Sequence, residues 1–108
     1  RYTMATLDTL QEILGVQERL LTHSNRSARV MERLIVSERK LSEILSLIAS
    51  HPELYNSEIL SSLRNWLEER FSIEEEHQEV LVDMHQDYGN LANLLAKTLG
   101  YENPNEAE

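Results

Sequence analysis

The sequence contains no cysteine, so neither disulfide bonds nor thiolate chemistry is available to it. Glycine occurs three times and proline twice in 108 residues, which leaves few positions that interrupt a regular backbone. Phe and Trp occur once each, and no apolar run approaches the roughly 18 residues of a membrane-spanning helix. This composition predicts a helical protein with an aliphatic core, no membrane partner and, by default, a cytoplasmic location.

An excess of basic residues is also missing. The net charge is −9, which disfavours nucleic acid as a partner because phosphate binding requires clustered Lys and Arg. The charge is uneven, since residues 1–50 carry seven basic and six acidic side chains while residues 51–108 carry three and thirteen. This asymmetry indicates either two helices that pair through opposite charges or two independently solvated faces.

Sequence motifs of enzymes are absent as well. The chain has no Gly-rich phosphate-binding loop, no Gly-x-Ser-x-Gly motif and no nucleophile placed beside a base. We therefore expect no catalytic residues and no cofactor, and we predict a protein that is not an enzyme.

Apolar residues recur at steps of three and four from residue 7 to residue 48 and again from 60 to 95, which predicts two long helices at about 5–50 and 57–99. Pro52 lies in the interruption between them, Asn56 or Ser57 is a natural N-cap for the second helix, and Gly100 follows it as a C-terminal glycine. Thr6 offers capping chemistry before the first helix. Two helices of equal length joined by a short turn predict an all-α fold, a long antiparallel helical hairpin.

An alternative interpretation breaks each helix once. The polar segment 22–27 resembles a loop around Ser24, and Ser72 with Glu75 has the spacing of a capping box. The result would be a compact bundle of four short helices. The continuous apolar period through both segments favours the long hairpin.

The second helix contains a row with uninterrupted 3–4 spacing, which predicts the packing row of the hairpin. Its polar members are Arg70, Glu74 and His77, interpreted as a polar layer that sets register. The whole row comprises Leu60, Leu63, Leu67, Arg70, Glu74, His77, Leu81, Met84, Tyr88, Leu91 and Leu95. The corresponding row of the first helix comprises Leu7, Leu10, Leu14, Leu21, Ala28, Met31, Leu34 or Ile35, Leu41, Ile44 or Leu45, and Ile48.

Opposite charges should meet across such a hairpin. With the turn near residue 53, the basic segment 26–40 lies beside the acidic segment 68–79. Pairs of this kind contribute only a few tenths of a kcal/mol each when exposed, and they favour the antiparallel register.

The apolar residues outside the packing rows exceed what a two-helix hairpin can bury. We predict that they form a protein interface, with Trp66 as its strongest anchor. The predicted interface residues are Leu20, Val30, Val36, Ile59, Trp66, Ile73, Val80 and Leu94. A second copy of the chain, forming a homodimeric four-helix bundle or a higher oligomer, or another helical protein would cover them.

Glu74 and His77 have the Glu-x-x-His spacing of metal sites in ferritin-like bundles, because residues i and i+3 present an oxygen and a nitrogen to one point. Across a dimer, and with Glu32, they would form the metal-binding alternative, which includes a metal-dependent oxidase. A cation such as Arg33 nearby disfavours a divalent metal, so no metal site is the favoured prediction.

The domain prediction has three parts. Residues 1–3 precede the first methionine, Met4, and are interpreted as a remnant of expression cloning. Residues 4–100 form a single helical hairpin domain, and residues 101–108 form a flexible acidic tail. The predicted function is non-enzymatic: a small helical adaptor, assembly factor, chaperone-like protein or structural component that acts through protein–protein contacts.

Overall fold

The fold is a hairpin of two long helices, as the sequence predicts. In the computed structural model, which describes residues 7–101, α1 spans Leu7–Ser50 and α2 spans Ser57–Leu99, with a single 3-10 turn at Pro52–Leu54. The predicted cap at Thr6, the interpretation of residues 1–3 and all but Tyr101 of the predicted tail lie outside the described residues. No helix among the described residues is both long enough and apolar enough to cross a membrane.

The junction between the helices forms as its residues dictate. Pro52 cannot continue α1, and the Tyr55 amide donates a hydrogen bond to the Pro52 carbonyl at 3.1 Å to close the 3-10 turn. Asn56 then begins α2, because its Oδ1 accepts hydrogen bonds from the amides of Glu58 and Ile59 at 3.0 and 3.2 Å. Asn56 is therefore the N-cap, one of the two residues predicted for that role.

Replacing Asn56 by alanine is expected to lower the free energy of unfolding by about 1 kcal/mol, because two amides at the start of α2 lose their acceptor. Urea unfolding followed by far-ultraviolet circular dichroism measures the change. Ser57→Ala is the control, since the observed cap uses the Asn56 side chain and the control should stay within about 0.5 kcal/mol. Equal losses at the two positions would contradict the cap assignment.

The end of α2 follows the glycine rule. Gly100 has φ of 75°, the left-handed conformation that side chains disfavour. This conformation allows the Tyr101 amide to donate a hydrogen bond to the Ala96 carbonyl at 2.8 Å. It is the hydrogen bond of a Schellman motif that connects residues five positions apart.

Both helices are continuous where the four-helix alternative breaks them. Residues 22–27 and the region of Ser72 are α-helical. In the first segment, the Thr22 hydroxyl donates to the Glu18 carbonyl at 3.0 Å, so this polar side chain is satisfied without leaving the helix. The alternative of four short helices is wrong for the described residues.

The hairpin divides into two compact units. Among the described residues, the terminal half comprises 7–26 and 80–101, and the turn half comprises Ser27–Glu79. Each half contains one segment of α1 and one segment of α2, and each is described by itself below.

The buried residues of the turn half form a row displaced by one position from much of the predicted one. Val30, Leu34 and Ile73 make up its apolar core, and Ser37 is buried with them. On α2 the row alternates steps of four and three through Ile59, Leu63, Trp66, Arg70, Ile73 and His77, all buried or half-buried. On α1 the corresponding buried or half-buried residues are Val30, Leu34, Ser37, Leu41, Ile44 and Ile48, and we call the two sets together the core row.

The terminal half shows the same displacement. Val16, Val80 and Asp87 are buried there, and Leu20, Met84, Leu91 and Leu94 are half-buried. The predicted packing residues Leu14, Leu81 and Tyr88 are exposed instead. Six of the eleven residues predicted for the packing row on α2 were therefore wrong, because the true row shares only Leu63, Arg70, His77, Met84 and Leu91 with it.

Candidate interaction surface

On one side of the turn half, oppositely charged residues of the two helices form ion pairs. Each of these residues immediately precedes a core-row residue in the sequence. Arg33 precedes Leu34 and donates a hydrogen bond to Glu76, which precedes His77. Lys40 precedes Leu41, and its Nζ lies 3.8 Å from Oε1 of Glu69. These two ion pairs confirm the predicted meeting of the basic segment with the acidic one. Their side chains are about half-exposed, so each contributes only a few tenths of a kcal/mol.

The other side carries the residues that immediately follow core-row residues. In an antiparallel helix pair, residues that precede the core row meet one another across one side, and residues that follow it meet across the opposite side. In the turn half these positions hold Ala28, Met31, Ile35, Glu38, Ser42, Leu45 and Ala49 on α1, and Leu60, Arg64, Leu67, Phe71, Glu74 and Gln78 on α2. They form what we call the outer row of the turn half.

Most of this outer row is apolar and open to solvent. Met31, Ile35, Leu45, Leu60 and Leu67 are each close to half-exposed, and Phe71 is 63% exposed. The row repeats with the same steps of three and four as the core row. A second apolar row at this spacing is typical of helices that pack on two sides, as in a four-helix bundle.

An ion group interrupts the outer row of the turn half. The Arg70 guanidinium leaves the core row and donates to Glu38 at 2.8 Å and to Glu74 at 2.9 Å. These hydrogen bonds raise the pKa of Arg70 above its ordinary value, although burial acts in the opposite direction. The Arg70 charge also lies 5.8 Å from the centre of the Trp66 ring. Arg70 is thus satisfied within the chain.

The predicted polar layer is only partly inside the hairpin. Arg70 and His77 occupy the core row, and their side chains are 19% exposed. Glu74 lies in the outer row with its side chain 43% exposed, so it does not point inward as predicted. The displacement by one position explains this difference, because Ile73 takes the buried place.

The metal alternative gains little from this geometry. Nδ1 of His77 lies 4.0 Å from Oε2 of Glu74, and the other oxygen of Glu74 accepts from Arg70. Glu32 lines a cavity of about 400 Å³ with Arg29, Arg33, Val36, Glu69 and Ile73. Within residues 7–101, no three His, Asp or Glu side chains form a group that could hold a metal ion. A site of this kind would need carboxylates from a second chain.

The predicted interface residues fall into two classes. Val36 is exposed, as expected for a contact residue. The others lie in the core row, where Val30, Ile73 and Val80 are at most 2% exposed and are already covered within the hairpin. The half-buried members are Leu20, Ile59, Trp66 and Leu94. The apolar surplus is real, but it consists mainly of outer-row residues that the sequence pattern predicts to lie in the packing row.

Trp66 helps to explain which residues form the core row. Its indole Nε1 donates to the backbone carbonyl of Ser37 on the facing helix at 2.7 Å, so the ring lies across the helix pair. The Ser37 hydroxyl beside it is buried and has no hydrogen-bond partner among the described residues.

In the terminal half, the outer row contains no Asp, Glu, Lys or Arg. It comprises Leu7, Leu10, Leu14, Gln17, Leu21 and Ser24 of α1, and Leu81, His85, Tyr88, Ala92, Leu95 and Leu99 of α2. Leu7, the most exposed of these, is 70% exposed, and the other Leu and Tyr side chains range from 38% to 57%. The charged residues of this half that the structure describes lie elsewhere, most of them beside or within the core row.

One buried polar pair in this half was not predicted. Asp87 is buried in the core row, and its Oδ2 lies 2.7 Å from Nδ1 of His23. Arg19 approaches the other oxygen at 3.8 Å. His23 occupies the core row of α1 and partners Asp87. A signal for this pair exists, because Asp87 falls seven residues after Val80 and 14 after Ile73.

Comparison with known proteins adds no assignment to this geometry. No protein-family model, curated protein or solved structure matches the chain. The two outer rows are therefore the surfaces from which a function has to be argued.

Proposed function

We propose that the chain acts through protein–protein contacts and is not an enzyme: a small helical adaptor, assembly factor or structural component. The observation that carries this proposal is the pair of outer rows. In these rows large apolar side chains remain exposed and recur at the three- and four-residue steps at which helices pack. Exposed apolar patches beyond a few hundred Å² are uncommon on monomeric proteins and mark interaction sites. A helical partner, either a second copy or another protein, matches the spacing of these rows.

The arrangement of charge supports the same function. In the turn half, opposite charges pair across the side opposite the outer row, as Arg33 does with Glu76 and Lys40 with Glu69. Arg70 is likewise neutralised by Glu38 and Glu74. A partner that covers Arg70 would therefore not leave that cation buried without a counter-ion, which would be costly.

Photo-crosslinking in the source cells tests the proposal. A benzophenone amino acid replaces Phe71 in one outer row, Tyr88 in the other and, as a control, Asn90, which precedes the core residue Leu91 on the opposite side. We expect a protein adduct from Phe71 or Tyr88 and none from Asn90. Mass spectrometry identifies the partner. A complete lack of adducts at both outer-row positions would contradict the proposed function.

A further inference from the structure

The outer row of the terminal half, defined above by its twelve uncharged residues, offers a large apolar surface. Eight of its side chains are between 38% and 70% exposed: Leu7, Leu10, Leu14, Leu21, Leu81, Tyr88, Leu95 and Leu99. At 150–200 Å² for a large side chain, they present on the order of 700 Å². This exceeds the roughly 300–600 Å² of the largest patch on a typical monomer.

We propose that this surface is covered by the same surface of a second copy of the chain. This inference rests on the proposed function: the partner is a second copy, and the contact is the outer row of the terminal half. Two copies joined in this way would bury on the order of 1,400 Å² in total, which lies within the 1,200–2,000 Å² of stable specific interfaces. An interface between identical surfaces is the usual solution for a two-fold dimer.

The distribution of charge allows a second copy to pack on this surface. Each chain carries a net charge of −9, so two copies repel each other unless their contact avoids charged groups. The terminal outer row meets this condition, since it contains no Asp, Glu, Lys or Arg. The outer row of the turn half does not, because Glu38, Arg70 and Glu74 interrupt it.

The width of the surface points the same way. Apolar residues occupy the outer row on both helices, for example Leu14 and Leu21 on α1 and Leu95 and Leu99 on α2. Packed helices lie about 8–10 Å apart, so one partner helix would fill the middle of this surface and leave its margins exposed. A second hairpin supplies two helices with the same period and covers both margins.

Sedimentation of the purified chain tests the inference. We expect the unmodified chain to have the mass of two chains at micromolar concentration. The variant that combines Leu14→Glu with Leu95→Glu should have the mass of one chain, because it places a buried charge on each helix of the surface. The matched control combines Ile35→Glu with Leu67→Glu in the turn half, where exposure is similar and the dimer should persist. Loss of the dimer only in the control, or a monomeric unmodified chain, would overturn the inference.

Cysteine crosslinking gives a second measurement that does not depend on the folding of the glutamate variants. The chain has no native cysteine, so Tyr88→Cys and Asn90→Cys each introduce a single thiol, two residues apart on α2. A short bis-maleimide should produce covalent dimers at least tenfold more efficiently from Tyr88→Cys. Equal yields from the two variants would overturn the inference.

The experiments distinguish failure of the second-copy inference from failure of the proposed function. A monomeric chain that still gives an adduct with an unlike protein in the photo-crosslinking experiment would remove the second copy and keep the proposed function. A monomeric chain that gives no adduct at Phe71 or Tyr88 would remove both.

Discussion

Val80→Ala is expected to lower the free energy of unfolding by about 2 kcal/mol, whereas Val82→Ala should change it by less than about 0.5 kcal/mol. Val80 is fully buried in the core row, and its two lost methyl groups would leave a cavity. Val82, two residues later on the same helix, is 63% exposed. Guanidinium unfolding at two protein concentrations measures both changes and separates folding from association.

A second matched pair repeats this comparison in the turn half. Val30 is 1% exposed and Val36 is 50% exposed, although both are valines of α1 and both were predicted to be interface residues. We expect Val30→Ala to destabilise the chain by about 2 kcal/mol and Val36→Ala by less than about 0.5 kcal/mol. The reverse order in either pair would show that the core row is assigned to the wrong residues.

The helices themselves could be predicted from the sequence because their signals are local. The bounds 57–99 agree with the observed Ser57–Leu99, since Asn56 provides the cap and Gly100 the left-handed end. Pro52 marks the turn for an equally local reason. None of these signals depends on which side of a helix faces its neighbour.

The choice of packing row could not be made in the same way. Each helix carries two rows with 3–4 spacing, and the spacing alone does not tell which row faces the other helix. The actual core row accepts Ser37 and Asp87, which reduce its apolar signal, and it shares Arg70 with the predicted row. Asp87 and Arg70 are tolerated because His23, Arg19, Glu38 and Glu74 partner them across or along the helices.

Side-chain shape supplies the information that a count of apolar residues misses. The buried members include the β-branched residues Val16, Val30, Ile73 and Val80, while the exposed outer row consists largely of leucine. The two rows share almost the same period, so a displacement of one position preserves the pattern and exchanges inside for outside. The sequence therefore predicts correctly that many apolar residues stay exposed, but it assigns the exposed residues to the wrong row.

Trp66→Ala is expected to lower the free energy of unfolding by about 3 kcal/mol, which makes this residue a determinant of folding instead of the interface anchor that the sequence suggested. Its ring is half-buried, its Nε1 donates to the Ser37 carbonyl at 2.7 Å, and Arg70 lies over its face. Trp66→Phe keeps much of the ring but removes the donor, so we expect a loss of about 1–1.5 kcal/mol.

The measurement for both Trp66 variants is unfolding followed by circular dichroism, because the chain has no other tryptophan to report by fluorescence. Phe71→Ala is the control: this ring is 63% exposed, so its removal should cost the single chain less than about 0.5 kcal/mol. The sedimentation mass of folded Trp66→Ala should equal that of the unmodified chain, since the ring lies in the core row. A Trp66→Ala chain that keeps its stability and loses its partner would return this residue to the interface.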